Sequence, residues 1–234
     1  MRAEPAPSSV VPAAPVPVVF SWSAGKDSTY GLMTLLADGR YRVVGLLTTL
    51  TEGYGRVTMS GVREELLDRQ AAELCLPLTK VWIPPACPNH LYEARMEAGL
   101  SELRAQGVRH LAFADLFLED VRAYRERWLA GLDWTGVFPL FGRDTRTLAR
   151  EMIAWGLRAT VVCLDPQVMP PEFAGRAFDA ALLEALPPSV DPCGERGEFH
   201  TFVLSAPIFR RSIPCHPGEV VQRDGFVYCD LAAD

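Results

Sequence analysis

Five short runs of apolar, largely β-branched residues recur along the chain: VPVVF (16–20), RVVGLLTT (42–49), LTKVWI (78–83), RHLAFA (109–114) and RATVVCL (158–164). Runs of this kind suit strands of a sheet covered on both faces, because alternate side chains point to opposite faces and both need apolar partners. Between the runs the apolar spacing becomes helical. Residues 26–40 carry Leu32, Leu35 and Leu36 and end near Gly39; residues 60–74 set Val62, Leu66 and Leu67 inward and leave Arg63, Glu64 and Asp68 outside. Further helical stretches cover 89–106, 119–130 and 144–157. This alternation predicts an α/β fold with a doubly wound, mostly parallel sheet in which 158–164 is the last parallel strand.

The final third reads differently. Prolines cluster in DPQVMPPEF, ALPPSVDPCG and SIPCHPGEV, and EVVQRDGFVYCDL holds two β-like runs around an Asp-Gly turn. The pattern divides the chain into a Pro/Ala tail at 1–16, expected to be disordered, an α/β domain at 17–135 and a smaller C-terminal α+β domain at 136–234. Ligands of an open α/β sheet sit beyond the carboxyl ends of its strands, so the loops after Phe20, Thr49, Ile83, Ala114 and Leu164 are expected to converge on a site.

Composition narrows the partners. The 23 Lys and Arg against 29 Asp and Glu give a net charge of −6, which over the whole surface repels a phosphate backbone, so nucleic acid is not expected as a partner. Cys75, Cys87, Cys163, Cys193, Cys215 and Cys229 include no C-x-x-C pair of the sort that binds zinc or cycles as a dithiol, and reduced thiols are expected. No apolar run approaches the roughly 20 residues of a membrane span. Prolines interrupt the N-terminal segment where a signal peptide needs an unbroken apolar core, so a soluble, cytoplasmic protein is expected.

The chemistry begins at SWSAGKDS, residues 21–28. A strand, a turn of small residues and a helix start form an anion site, since backbone N–H groups and the positive end of the helix dipole face one point. Ser23, Ala24, Gly25, Asp27 and Ser28 would supply those groups and Lys26 a mobile charge. A Walker A loop is excluded, because its first glycine would fall on Phe20 and its Ser or Thr on Asp27. An ordinary strand-to-helix turn capped by Asp27 or Ser28 is the alternative.

SAGKDS resembles the PP-loop of the ATP pyrophosphatase superfamily, usually S-G-G-x-D-S, with Ala24 in place of a glycine; alanine is tolerable there at negative φ. FADLFLEDVRAYRERW and DPCGERGEFHTFVLSAPIF sharpen the likeness. With the PP-loop they resemble the diphthine–ammonia ligase family and its bacterial homologues, whose G-E-x-G-E-(F/Y)-x-T motif stands here as Gly194, Glu195, Gly197, Glu198, Phe199 and Thr201. The resemblance implies a Rossmann-like PP-loop (HUP) fold with ATP held at residues 23–28 and its base near Thr48 and Thr49. It implies catalytic roles for Lys26, Asp27, Glu195 and Glu198.

Substrate contacts are expected from Asp115, Glu119, Arg122, Tyr124, Arg125, Gly197 and Thr201, with Asp115 sharing Mg²⁺ with the phosphates. Glu119 and Asp120 also suit any first helical turn, and Arg122, Tyr124 and Arg125 any solvated helix face. Glu195 and Glu198 would hold ammonium or take its proton. His200 alternates to the other face from Thr201 and is given no role. Bacterial relatives often carry a histidine near the position of Ser60, and its absence leaves that role open; Cys87 is read as structural.

The implied reaction is ATP-dependent amide formation, in which a carboxylate is adenylated with release of pyrophosphate and then captured by ammonia. Two alternatives stand beside it: a regulator that binds ATP or AMP without catalysis, which has no use for the Glu195 and Glu198 pair, and a tRNA-thiolating PP-loop enzyme, which would need paired cysteines or a basic extension. The acceptor carboxylate is not identified by the sequence.

Overall fold

The computed structural model describes residues 14–233. Most of the tail expected at 1–16 therefore lies outside the described residues. Sheet one contains six strands: β1 (Val16–Ser21), β2 (Tyr41–Thr51), β3 (Arg56–Val57), β4 (Leu78–Ile83), β5 (His110–Ala112) and β6 (Thr135–Val137). They follow the order β3-β2-β1-β5-β6, with β4 also paired to β2, and every pairing except the short β2–β3 contact is parallel.

The alternation of side chains sorts this sheet into two apolar layers. Val18 and Phe20 of β1, with Leu46 and Leu50 of β2, face one core shared with α1 (Lys26–Ala37), α2 (Glu64–Leu74) and α5 (Thr145–Ala154). Val19 and Leu47 point the other way, into a core with Met96 and Leu100 of α3 (Asn89–Ala105) and Leu129 of α4 (Glu119–Gly131). Helices thus cover both faces, the doubly wound arrangement expected from the continuous apolar runs. Leu36, expected inward, is 48% exposed, and α1 ends at Asp38, whose N–H bonds to the Leu35 carbonyl, not at a left-handed Gly39.

The run at 158–164 is a correction. It forms β7 (Arg158–Leu164), not in the parallel sheet but in a separate four-stranded antiparallel sheet ordered β8-β7-β10-β9, with β8 (Phe199–Ser205), β9 (Cys215–Arg223) and β10 (Phe226–Ala233). An apolar run reads alike in either kind of sheet when both its faces are covered, as six of the seven β7 residues are. The Asp-Gly turn does join β9 to β10, with both Asp224 and Gly225 at positive φ as a two-residue hairpin demands. The sequence boundary near 135 falls on β6, which pairs with β5 in the first sheet. Val161, Phe199, Phe202 and Val203 of the second sheet pack into the same core as α1 and α2, so β8 is laid directly against the start of α1. A short helix, α6 (Ala180–Ala185), precedes the loop into β8. Among the described residues no helix is long and apolar enough to cross a membrane.

Candidate functional site

A cavity of about 340 Å³ opens where β1, β2 and β5 end and β8 begins. The loops after Phe20, Thr49 and Ala114 meet there as expected, while those after Ile83 and Leu164 do not reach it; the 194–201 segment fills that side. Ser23, Gly25, Lys26, Asp27, Ser28, Thr48, Thr49, Asp115, Arg125, Glu195, Gly197 and Thr201 line it.

The floor is the 23–28 turn, clamped by β8. The Thr201 hydroxyl accepts the Lys26 N–H at 3.1 Å, and the Val203 N–H donates to the Ala24 carbonyl at 3.0 Å. Gln70 of α2 donates to the same Ala24 carbonyl and to that of Val203, joining α2, the turn and β8. A side chain at Gly25 would sit 3.0 Å from the Thr201 carbonyl, so glycine is what lets β8 come this close. Ala24 departs from the expectation of negative φ: it lies at +65°, fully buried behind the turn. Left-handed backbone costs a non-glycine residue roughly 1–2 kcal/mol. The alanine methyl recovers part of that by burial. Ala24→Gly should therefore change stability by less than about 1 kcal/mol, whereas Ala24→Val, β-branched at positive φ in a packed site, should cost more than about 2 kcal/mol in chemical denaturation.

Lys26 is not the mobile charge expected. Its side chain is 1% exposed and turns under the second sheet, where the ammonium donates to Asp27 Oδ2 at 2.8 Å and to the Cys193 carbonyl, 4.8 Å from the centre of the Phe199 ring. Burial works against the charge, but Asp27 beside it more than offsets this and holds the Lys26 pKa up. Asp27 in turn is raised by burial against the pull of Lys26.

Two carboxylates build the loop that supplies the Cys193 carbonyl. Asp191 Oδ1 accepts the Cys193 N–H at 2.9 Å, and its Oδ2 accepts the Thr145 hydroxyl. Glu198 accepts the Asp191 N–H at 3.0 Å through Oε1 and the Arg196 N–H at 2.9 Å through Oε2. With both oxygens so engaged Glu198 is buried and does not line the cavity; the structure does not bring it to Glu195 as a pair in the site. Gly194, at φ +68°, leaves no room for a side chain, which would meet the Phe199 carbonyl at 2.6 Å.

Glu195 does face the cavity. Its Oε1 accepts the Leu116 N–H at 2.7 Å, fixing the loop after β5. Burial first, and then the nearby charges of Asp27 and Asp115, push its pKa up to about 7, with the Leu116 N–H pulling the other way. Asp115 lies 3.3 Å from the Arg125 guanidinium and is raised by burial in spite of it. Arg125 also covers the Phe113 ring, 4.1 Å from its centre.

The remaining α4 candidates point elsewhere. Glu119 is exposed in the first turn, Arg122 pairs with Glu126 at 2.8 Å over Phe141, and the Tyr124 hydroxyl donates to Glu93. The charged helix sequence gave no means of telling Arg125, one helical position along, from these neighbours. Cys87 stands outside the cavity.

The sequence gives His200 no role, leaves that of Ser60 open and does not single out Tyr92, yet all three line the cavity. The ring nitrogen Nε2 of His200 is buried without a partner, and burial, followed by the charge of Lys26, lowers its pKa to about 4. Strict alternation sets His200 opposite Thr201, but the pairing of β8 with β7 shifts by one residue between them, and both line the cavity. The signal for Ser60 is that bacterial relatives of the family it resembles often carry a histidine near this position.

The buried side-chain polar atoms that lack a hydrogen-bond partner among the described residues are Asp27 Oδ1, Thr48 Oγ1, Ser60 Oγ, Asp115 Oδ2 and His200 Nε2. All five belong to residues lining this one cavity. Unsatisfied buried groups each cost about 1–3 kcal/mol, and gathering them at one place is the mark of a polar ligand site. Among the described residues no three His, Cys, Asp or Glu groups are arranged to hold a metal ion by themselves.

Known proteins resemble this chain in the same regions. Residues 144–231 match the family model of the diphthamide synthase C-terminal domain, which takes in Glu195, Glu198 and Thr201. The diphthine–ammonia ligase of Mus musculus is 23% identical over 232 residues, covering 90% of this chain and 86% of its own. Those of Homo sapiens and Bos taurus are each 24% identical with the same coverage. The segment that matches the family model contains the β8 strand that clamps the 23–28 turn, and the relatives align with most of the chain: this protein is similar to diphthine–ammonia ligases over most of its length.

Proposed function

We propose that the protein is an ATP-dependent ligase that activates a carboxylate as its adenylate, releasing pyrophosphate, and transfers ammonia to it. The observation that carries this reading is the set of five unpartnered buried polar atoms around one cavity at the phosphate turn. They match a polar nucleotide in kind: hydroxyls of Thr48 and Ser60 and a neutral imidazole of His200 for hydrogen bonds, and for a cation the free Oδ1 of Asp27 and the Asp115 carboxylate, whose Oδ2 has Arg125 beside it but no hydrogen bond.

ATP would rest its phosphates on residues 23–28 at the positive end of α1, with its base toward Thr48 and Thr49. Mg²⁺ needs few protein ligands when phosphates supply the rest, and Asp115 with Asp27 would serve. The substrate carboxylate displaces pyrophosphate at the α-phosphorus; ammonia then adds to the acyl carbon, AMP leaves and one proton is lost. Glu195 would hold the ammonium and take that proton; the support for this is its position on the cavity wall and a pKa raised to about 7, which suits proton exchange at neutral pH. Diphthine is the substrate that the relatives' names give them; the acceptor here is proposed as a carboxylate.

Labelled ATP, Mg²⁺ and ammonium, with and without cell extract, supply the test. Extract-dependent AMP and pyrophosphate are expected. ADP and phosphate would remove the adenylation reading, and tight binding without turnover would favour a sensor. Thr48→Val is expected to weaken ATP binding about tenfold while leaving the ligand-free fold as stable or more so, since it removes an unsatisfied hydroxyl.

A further inference from the structure

A second cavity, of about 430 Å³, adjoins the first. It is bounded by the 51–61 turn, Pro85 and Ala86 after β4, and the β9–β10 hairpin. Its lining shares two residues with the nucleotide cavity, Val57 and Met59. Val57 ends β3 and Met59 stands in the turn after it, which is closed by the Gly61 N–H on the Val57 carbonyl at 3.0 Å. Met59, 57% exposed and at φ +69°, is held in a strained conformation at its tip, with Ser60 turned to the nucleotide side and Gly61 to the second cavity.

This wall is tied to the second sheet. Arg56 donates to Asp230 at 2.9 Å, Arg63 donates to the same carboxylate at 3.0 Å, and Gly61 lies so near the Tyr228 ring that a side chain there would approach to 2.8 Å. A two-substrate reaction at the nucleotide needs a place for the bulk of the second substrate once its carboxylate is at the α-phosphorus. The two residues that line both cavities, Val57 and Met59, are apolar and suit a hydrocarbon segment. Beyond them lie Tyr54, Phe226 and Tyr228, with Glu219, Arg223 and Asp224, none of which forms a salt bridge among the described residues.

We infer, resting on the ligase reading above, that the second cavity receives the acceptor: a carboxylate on a methylene chain, passed over Met59 to the nucleotide, with a polar far end seated among the aromatic residues of the β9–β10 hairpin. The volume suits a metabolite or a single side chain of a protein, which share this chemistry.

The test fills the cavity from its outer side. Val221 lines it and not the nucleotide cavity. Val221→Trp, and separately Tyr54→Ala, are compared with wild type for binding of α,β-methylene ATP by calorimetry and for pyrophosphate release driven by cell extract, split by ultrafiltration into protein and small-molecule fractions. Nucleotide affinity within twofold of wild type is expected in both, which also reports an intact fold. Pyrophosphate release should fall at least tenfold at limiting extract for Val221→Trp, and the half-saturating extract concentration should rise for Tyr54→Ala. The active fraction tells a protein-borne from a free carboxylate. Undiminished release by both variants, or loss of nucleotide binding along with release in both, overturns the inference while leaving the ligase reading standing. Wild-type protein that binds the nucleotide but releases no pyrophosphate with either fraction overturns the ligase reading and the inference with it.

Discussion

Replacing Lys26 with methionine is expected to lower the unfolding free energy by about 3–5 kcal/mol, read from the shift in urea midpoint at constant slope. Methionine keeps most of the stem length and apolar character, so the loss isolates the ammonium. That group is 1% exposed and holds two acceptors at once, Asp27 and the Cys193 carbonyl, against the face of Phe199. Without it a buried carboxylate and a buried carbonyl lose their donor, and removing one partner of such a pair costs more than removing both. The double variant Lys26→Met with Asp27→Leu should accordingly recover part of the loss, giving a coupling energy above about 1 kcal/mol. A single-variant loss below 1 kcal/mol would mean that the ammonium swings into the cavity in solution and acts as the mobile phosphate-binding cation that its place in SAGKDS first indicates.

That contrast shows what the sequence could and could not say. The motif singles out Lys26, which does line the cavity, since the strand, turn and helix start are local and follow from VPVVF, small residues and an amphipathic run. The direction of the side chain is decided by Cys193, which lies 167 residues away and is placed by Asp191 and Glu198. The same long-range loop explains why Glu195 and Glu198 look equivalent in G-E-x-G-E and are not: one caps the backbone of its own loop, and the other crosses to Leu116. The parallel sheet was legible because its apolar runs alternate with helices. The change to antiparallel pairing at β7 was not, because pairing direction is fixed by which strands arrive later, here β8 and β10. On α4, spacing placed Arg122, Tyr124 and Arg125 on one helix, yet Arg125 alone of the three faces the site, through Asp115.

Glu195→Gln should separate stability from activity. Folding raises the Glu195 pKa from 4.5 to about 7, chiefly through burial. Between those values the folded protein keeps a proton that the unfolded chain has released, so this group's contribution to stability falls as pH rises through that window and is at its least favourable above about pH 7. Glutamine retains the carbonyl oxygen that accepts the Leu116 N–H and carries no charge to bury. At pH 5 the variant and the wild type should be about equally stable. At pH 8 the variant should be the more stable by about 1–2 kcal/mol, a figure reduced for the part of the carboxyl that solvent screens. Over the same range its ammonia-dependent pyrophosphate release should be at least about 100-fold lower, the usual loss when a proton-accepting group is removed. A flat stability difference from pH 5 to pH 8 would place the titration on other groups, and full activity would take Glu195 out of the chemistry. The combination expected here, a residue that weakens the fold at neutral pH and is needed for turnover, fits its place among the carboxylates of the cavity: Asp27 has Lys26 beside it and Asp115 has Arg125, whereas Glu195 forms no salt bridge among the described residues, so on the proposed reading it is the carboxylate left for an ammonium ion.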